Sequence, residues 1–287
     1  MALDFGMNQN FSHSQSFDQG MGASRPGAST ATVALYGTGD FANIQEAIDA
    51  LPNAGGVVYI KEGTYVLSVS IEINKDNVTL IGAGIATVLD GAGNGGDMVA
   101  INISGKSNII LNNFKILGRT GGFFADQRGI KIVNPTDINI DSLWITGGRF
   151  HGIDIQGTAG KVTVTNCHIY SQVGMGIYCT AGSNNIISNN QIYSNGDDGV
   201  YLAPAHDSTI TGNIIIGNYR GIVLHNSDTS TVTGNRITEN TNNQIVISKG
   251  GVGTSTKNVI VGNAYTTTTG GTIVDGGTSS VIANNAA

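Results

Sequence analysis

The sequence predicts an all-β protein: one single-stranded, right-handed parallel β-helix of about ten coils, closed at its N-terminal end by a short helix. Three observations carry this. A glycine-opened segment recurs as RGIKIVN, HGIDIQG, MGIYCTA, DGVYLAP and RGIVLHN, and NQIVISK continues it. The opening residues Gly129, Gly152, Gly176, Gly199, Gly221 and then Gln244 stand at steps of 23, 24, 23, 22 and 23 residues. A second strand-like segment follows within each period, and no helix-length apolar pattern interrupts the series. A fixed period in this range marks a repeat architecture.

Each glycine-opened segment alternates with the period of a strand. Ile130, Ile132, Ile153, Ile155, Ile177, Cys179, Val200, Leu202, Ile222 and Leu224 share one face, and Lys131, Asp154, Tyr178, Tyr201 and Val223 the other. The second segments run over 138–145, 162–169, 185–192, 209–216, 231–237 and 259–265. A leucine-rich repeat would carry its Leu and Asn consensus, and a propeller blade would be about twice as long. Stacking each strand on its copy in the next coil satisfies the pattern. Asn190, Asn213 and Asn235 recur at steps of 23 and 22, with Asn263 after a longer one. Amides in such a column bond up and down a ladder.

The repeat fills most of the 287 residues, which divides the chain into an arm (1–30), a capping segment (31–56, with a helix over 43–51) and the β-helix (57–287). Charged residues make up 12% and the net charge is −6, which argues against nucleic-acid binding by bulk charge. No apolar run reaches membrane-spanning length. Residues 1–30 lack the basic start, apolar core and cleavage pattern of a signal peptide. Phe5, Phe11 and Phe17 are spaced by six along this polar string, with Met1, Met7 and Met21 among them. Apolar anchors on a flexible string suit an arm that orders on a scaffold. Cys167 and Cys179 are the only cysteines and are expected as buried free thiols.

Within GDFANIQEAIDAL, Asn43 followed by Glu46 reads as a helix start, and Ile44, Ala47, Ile48 and Leu51 form one face. A helix there would plug the first coil, whose open end otherwise exposes core and strand edge. The run Asp40 to Tyr65, DFANIQEAIDALPNAGGVVYIKEGTY, resembles the amino-terminal cap of the pectin lyase-like right-handed β-helix superfamily, and the coils after it look like that superfamily's coils. The resemblance implies the fold; the superfamily spans lyases, hydrolases, epimerases, esterases and non-catalytic phage spikes.

Equivalent positions of stacked coils form columns about 4.8 Å apart. The position before each repeat glycine reads Arg128, His151, Met175, Asp198, Arg220, and the outward position after it Lys131, Asp154, Tyr178, Tyr201, Val223. Asp126, Arg149, Asp197, His206 and His225 lie beside them. Asp197, Asp198, His151 and Asp154 are the candidate catalytic residues, and Arg128, Lys131, Tyr178, Tyr201 and Arg220 the candidate glycan-binding ones. NGDDG at 195–199 resembles the paired aspartates of polygalacturonase-type hydrolases, but His151 and Arg128–Lys131 fall on earlier coils than that pattern requires. FHGIDIQ at 150–156 resembles the Asp-Pro-His-Glu strand of alginate carbon-5 epimerases and lyases, with Asp154 matching and the His and Glu replaced. Pectate lyase-like chemistry would need calcium on Asp154, Asp197 and Asp198 beside Arg128 or Arg220, and six or more oxygens around the ion. The Arg-x-Trp element of pectin methylesterases has no counterpart at Trp144.

No catalytic set is complete, so the first expectation is an attachment β-helix displayed on a larger assembly, a virion spike, a decoration or a surface filament, that binds glycan along one edge. A polysaccharide lyase, glycoside hydrolase or uronate epimerase is the alternative. The first expectation brings a homo-oligomer, a trimer by preference, a scaffold held by residues 1–30 and a virion or extracellular setting. No cofactor is expected, calcium being the alternative.

Overall fold

The computed structural model describes residues 28–91, 98–118, 127–157, 160–180, 182–250, 255–266 and 273–286. The expected arm at 1–30 therefore lies almost wholly outside the described residues. The described residues form a parallel β-helix of about nine turns with a short helix at its N-terminal end. One sheet stacks nine strands, from Ile71–Ile73 through Ile101–Ser104, Ile130–Val133, Ile153–Gln156, Ile177–Cys179, Val200–Leu202, Ile222–His225 and Ile245–Ser248 to Ile273–Asp275. The other sheet has eighteen strands in two columns, which the long strands Val78–Asp90 and Ser107–Leu117 join. The ladders of the nine-stranded sheet are parallel throughout.

The register matches the sequence period. Ile130, Ile153, Ile177, Val200 and Ile222 pair in succession and are all wholly buried. The opening glycines serve close approach. A Cβ on Gly176 would lie 2.6 Å from Ile192 Cγ2 and 2.7 Å from the Gly199 carbonyl oxygen of the next coil.

The period allows two or three short strands per coil, and the structure has three: each second segment is two strands meeting at a bend. Residues 162–169 resolve into Val162–Thr165 and His168–Tyr170, and 185–192 into Ile186–Ser188 and Gln191–Tyr193. The bend needs one residue at positive φ, supplied by Asn166 (54°), Asn189 (57°) and Gly212 (66°). Asparagine and glycine tolerate this region best, and alternation alone cannot reveal it.

Beside the bend stands the expected ladder. Asn190, Asn213, Asn235 and Asn263 are buried and linked amide to amide. A second ladder, Asn195–Asn218–Asn240, runs in the turn before the repeat glycines. Its last amide donates to Gln244 Oε1 at 2.7 Å, so the glutamine that replaces the sixth glycine supplies the next rung's acceptor. Cys167 and Cys179 are buried and form no disulfide, and burial pushes the Cys167 thiol up to about 12.

The helix Ile44–Ala50 caps the first coil with Ile44, Ala47 and Ile48 buried. Asn43 Oδ1 accepts from the Gln45 and Glu46 amides at 2.7 and 3.3 Å. Gln45 works as a strand mimic: its Oε1 accepts from Glu72 N at 2.8 Å and its Nε2 donates to Glu72 O at 3.2 Å. These bonds cover the free edge of the first strand of the nine-stranded sheet, which would otherwise invite pairing. Lys75 Nζ donates to the carbonyls of Ile48, Asp49 and Leu51, placing a cation on the helix C-terminus. At the other end, Ile282 continues the column of the buried Ile260 but is 39% exposed.

Candidate functional site

Two columns of the solenoid position the candidate side chains. In the nine-stranded sheet Lys131, Asp154, Tyr178, Tyr201 and Val223 pair in order on the outward face. In the turn before it, the carbonyls of His151, Met175, Asp198 and Arg220 accept in turn from the amides of Gly129, Gly152, Gly176 and Gly199 of the preceding coil. The columns read from the sequence are thus adjacent in space. Asp126 lies outside the described residues. His206 sits apart on a loop, its Nδ1 accepting from Asp228 N at 3.0 Å.

Alternation placed Asp154 and Val223 toward solvent, and they do hold outward register positions. Both are nevertheless buried, at 0% and 1% exposure. Over Asp154 lie Arg128, whose Nε forms an ion pair with Oδ2, and Gln156, whose Nε2 donates to Oδ2 at 3.0 Å. Asp154 Oδ1 has no hydrogen-bond partner among the described residues. Burial pushes the Asp154 carboxyl above the usual carboxylate range, while Arg128 pulls the other way. The Arg128 guanidinium lies 4.5 Å from the centre of the Phe150 ring.

Asp198 is wholly buried and forked to Arg220, Nε to Oδ1 at 2.6 Å and Nη2 to Oδ2 at 2.7 Å. Burial pushes the Asp198 carboxyl up, the Arg220 bonds oppose this, and the half-buried Asp197 adds to the rise.

His151 is buried between rings, 4.1 Å from Phe150 and 4.6 Å from Tyr178. Its Nδ1 accepts from Met175 N at 3.1 Å, so the neutral tautomer carries its proton on Nε2. Burial, with the Arg128 charge, lowers its pKa from 6.5 to about 4. A folded pKa below the unfolded one gives stability that is complete above about pH 6.5 and lost as pH falls toward 4, ~3 kcal/mol in all. Asp154 and Asp198, raised by burial, act in the opposite sense. The expected result is therefore read at the ring itself: NMR titration should find His151 neutral at pH 5.5, and a midpoint above 6 would contradict the buried, backbone-bonded ring.

The rings continue down the sheet. Tyr178 and Tyr201 stack at 5.6 Å, and Tyr201 and His225 at 6.2 Å. Burial raises both phenols, so they stay protonated as hydrogen-bond donors. Sequence reasoning missed Phe150 and Gln156, which flank the HGID motif, and the extension of the stack to His225. It also missed stacked pairs on the eighteen-stranded sheet, Trp144–His168 at 5.4 Å and Tyr170–Tyr193 at 4.8 Å. The steps of 24 and 23 residues within these pairs were the signal for them.

Among the described residues no group of three or more His, Cys, Asp or Glu is arranged to hold a metal. Calcium needs six or more oxygens. Asp154 and Asp198 are buried and turned to guanidinium groups, so this donor set does not fit the ion.

Known proteins agree with the fold. Residues 128–287, more than half of the chain, match the family described as right handed beta helix region, and the chain belongs to that family. Its capped solenoid is that of the pectin lyase-like superfamily. Residues 30–110 match the pectinesterase family. Probable pectinesterase/pectinesterase inhibitor 17 of Arabidopsis thaliana is 28% identical over 166 residues, 50% of this chain and 32% of that protein. Probable pectinesterase 56 of the same plant is 45% identical over 69 residues, 23% of this chain and 24% of that protein. The chain thus spans about a third of the length of the curated pectinesterases matched over its greatest extent. Tailspike protein 2 of an Escherichia coli O157:H7 bacteriophage superposes with a TM-score of 0.66 at 18% identity, over 83% of this chain and 35% of that one. The mannuronan C-5 epimerase A-module of Azotobacter vinelandii superposes with a TM-score of 0.55 at 20% identity, over 94% of both chains. At these identities the structural likeness is one of fold.

Proposed function

We propose that the chain is a glycan-binding attachment β-helix displayed on a larger assembly such as a virion spike, and that its binding surface is the face carrying His151, Tyr178, Tyr201 and His225. One observation carries the reading. The carboxylates best placed for chemistry, Asp154 and Asp198, are buried against Arg128 and Arg220, while the phenols beside them are partly exposed. General acid–base work on a glycosidic bond needs carboxyls that reach the scissile oxygen. Phenol edges and hydroxyls bind sugar without that reach.

A tether to a scaffold through residues 1–30, supported by the Phe5, Phe11 and Phe17 spacing, and a homotrimeric state complete the proposal. Light scattering of full-length and arm-deleted protein tests it: a deleted form that assembles and attaches normally removes the tether. For the surface, the double variant Tyr178→Ala/Tyr201→Ala should lose at least about tenfold in glycan affinity, with the melting temperature checked in parallel.

A second reading, a polysaccharide lyase or epimerase, has one observation in its favour. Asp154 Oδ1 is buried without a partner on a carboxyl raised by burial, next to a neutral His151 and a protonated Tyr178. Perturbed groups in contact are a common mark of catalysis. Turnover of any uronate polymer, abolished by His151→Ala, would establish this reading and displace the first.

A further inference from the structure

We infer that the glycan taken by this face is uncharged, a neutral hexose or pentose polymer and not a polyuronate; the inference rests on the binding role proposed above. The two arginines of the face are spent inside the protein: Arg128 is paired with the buried Asp154 and Arg220 with the buried Asp198, and His151 is neutral above about pH 4. A uronate polymer presents a carboxylate on every sugar, and proteins hold such groups with guanidinium forks.

Here the forks are not available. Arg220 commits Nε and Nη2 to Asp198, at 2.6 and 2.7 Å. Asp198 is wholly buried, so drawing Arg220 toward a ligand would leave an uncompensated charge inside the protein. Arg128 is held by the equally buried Asp154 and lies over Phe150, with 12% of its side chain exposed. Asp197, half-buried at the turn beside Arg220, repels a carboxylate at short range. Beside these pairs the face offers the phenols of Tyr178 and Tyr201, which stay protonated, and His225, bonded through Nδ1 to Ser248 Oγ at 2.9 Å; Lys131, at the end of the column, stands next to Asp154. Such groups exchange hydrogen bonds with sugar hydroxyls, and ring edges pack against sugar carbons.

The experiment uses the full chain and two sets of hexasaccharides: neutral ones (β-glucan, galactan, xylan) and uronates (oligogalacturonate, oligomannuronate). Wild type should bind at least one neutral oligomer about tenfold more tightly than any uronate. Asp198→Asn keeps the side chain's shape and frees the Arg220 fork, so its preference should shift toward uronates by about tenfold. Asp197→Asn leaves the Arg220 pair intact and should shift it by about twofold, which covers the case of an unfolded Asp198→Asn. A wild type that prefers uronates overturns the inference and leaves the binding role standing. A folded Asp198→Asn with an unchanged preference overturns the assignment of selectivity to the internal pairs. A wild type that binds neither set takes the binding role and the inference down together.

Discussion

Replacing Asn213 by leucine should lower the melting temperature by roughly 10 °C, the equivalent of about 4 kcal/mol. Asn213 is wholly buried in the middle of its ladder. Its Oδ1 accepts from Asn190 N at 2.9 Å and Asn190 Nδ2 at 3.0 Å. Its Nδ2 donates to Ile187 O at 2.8 Å and Asn235 Oδ1 at 2.9 Å. Leucine fills a similar volume and satisfies none of these four bonds. The groups left behind belong to coils on both sides, they are buried, and each orphaned group costs about 1–3 kcal/mol. The neighbouring bend residue is the control. Asn189 is held at φ 57°, where glycine serves as well, so Asn189→Gly should change stability by less than about 1 kcal/mol. If Asn213→Leu melted within about 2 °C of wild type, the ladder would be ornament and the bend would be held by something else.

Ile153→Asp should be more damaging still, beyond about 5 kcal/mol, and should leave little folded protein at neutral pH. Ile153 is wholly buried between Ile130 and Ile177. The substitution loses about 1.5–3 kcal/mol of aliphatic burial. It also strands a carboxyl in an aliphatic stack, a further cost of several kcal/mol even after the group takes up a proton. The sign of the pH dependence follows. A carboxyl whose folded pKa lies above its unfolded value is tolerated best below the unfolded pKa and least once the pH has risen through the folded one. The folded fraction relative to wild type at the same pH, read by circular dichroism, should therefore show partial rescue at pH 4 over pH 7, with Ile153→Val down by only about 1 kcal/mol at both. A variant as stable as wild type would move the register by one residue and turn Asp154 inward.

Both substitutions act on residues whose role the period made legible. The glycine steps fixed which side chains share a column, and the alternation fixed which column faces inward, because a coil repeats its backbone every turn and a solenoid interior is a pile of like residues. The helix start at Asn43 and the asparagine column were legible for the same local reasons. The bend inside each second segment was not. A residue at positive φ between two short strands looks, in sequence, like one strand with a polar member, as Asn166 and Asn189 do. The strand mimicry of Gln45 was hidden too, since it depends on an edge 27 residues away.

For the candidate site the division falls along the same line. From sequence alone came its members: Arg128, His151, Asp154, Tyr178, Asp198, Tyr201 and Arg220 lie in two neighbouring columns, as their spacing requires. Tertiary structure alone decided their chemical state. Arg220 reaches back one coil to fork Asp198, Arg128 reaches forward one coil to Asp154, and Met175 N occupies the His151 nitrogen that a base would use. Period and alternation describe where backbones place Cα atoms. Charge, protonation and accessibility depend on which long side chains fold across the rungs, and that is set by rotamers and packing between coils, which no repeat in the sequence encodes.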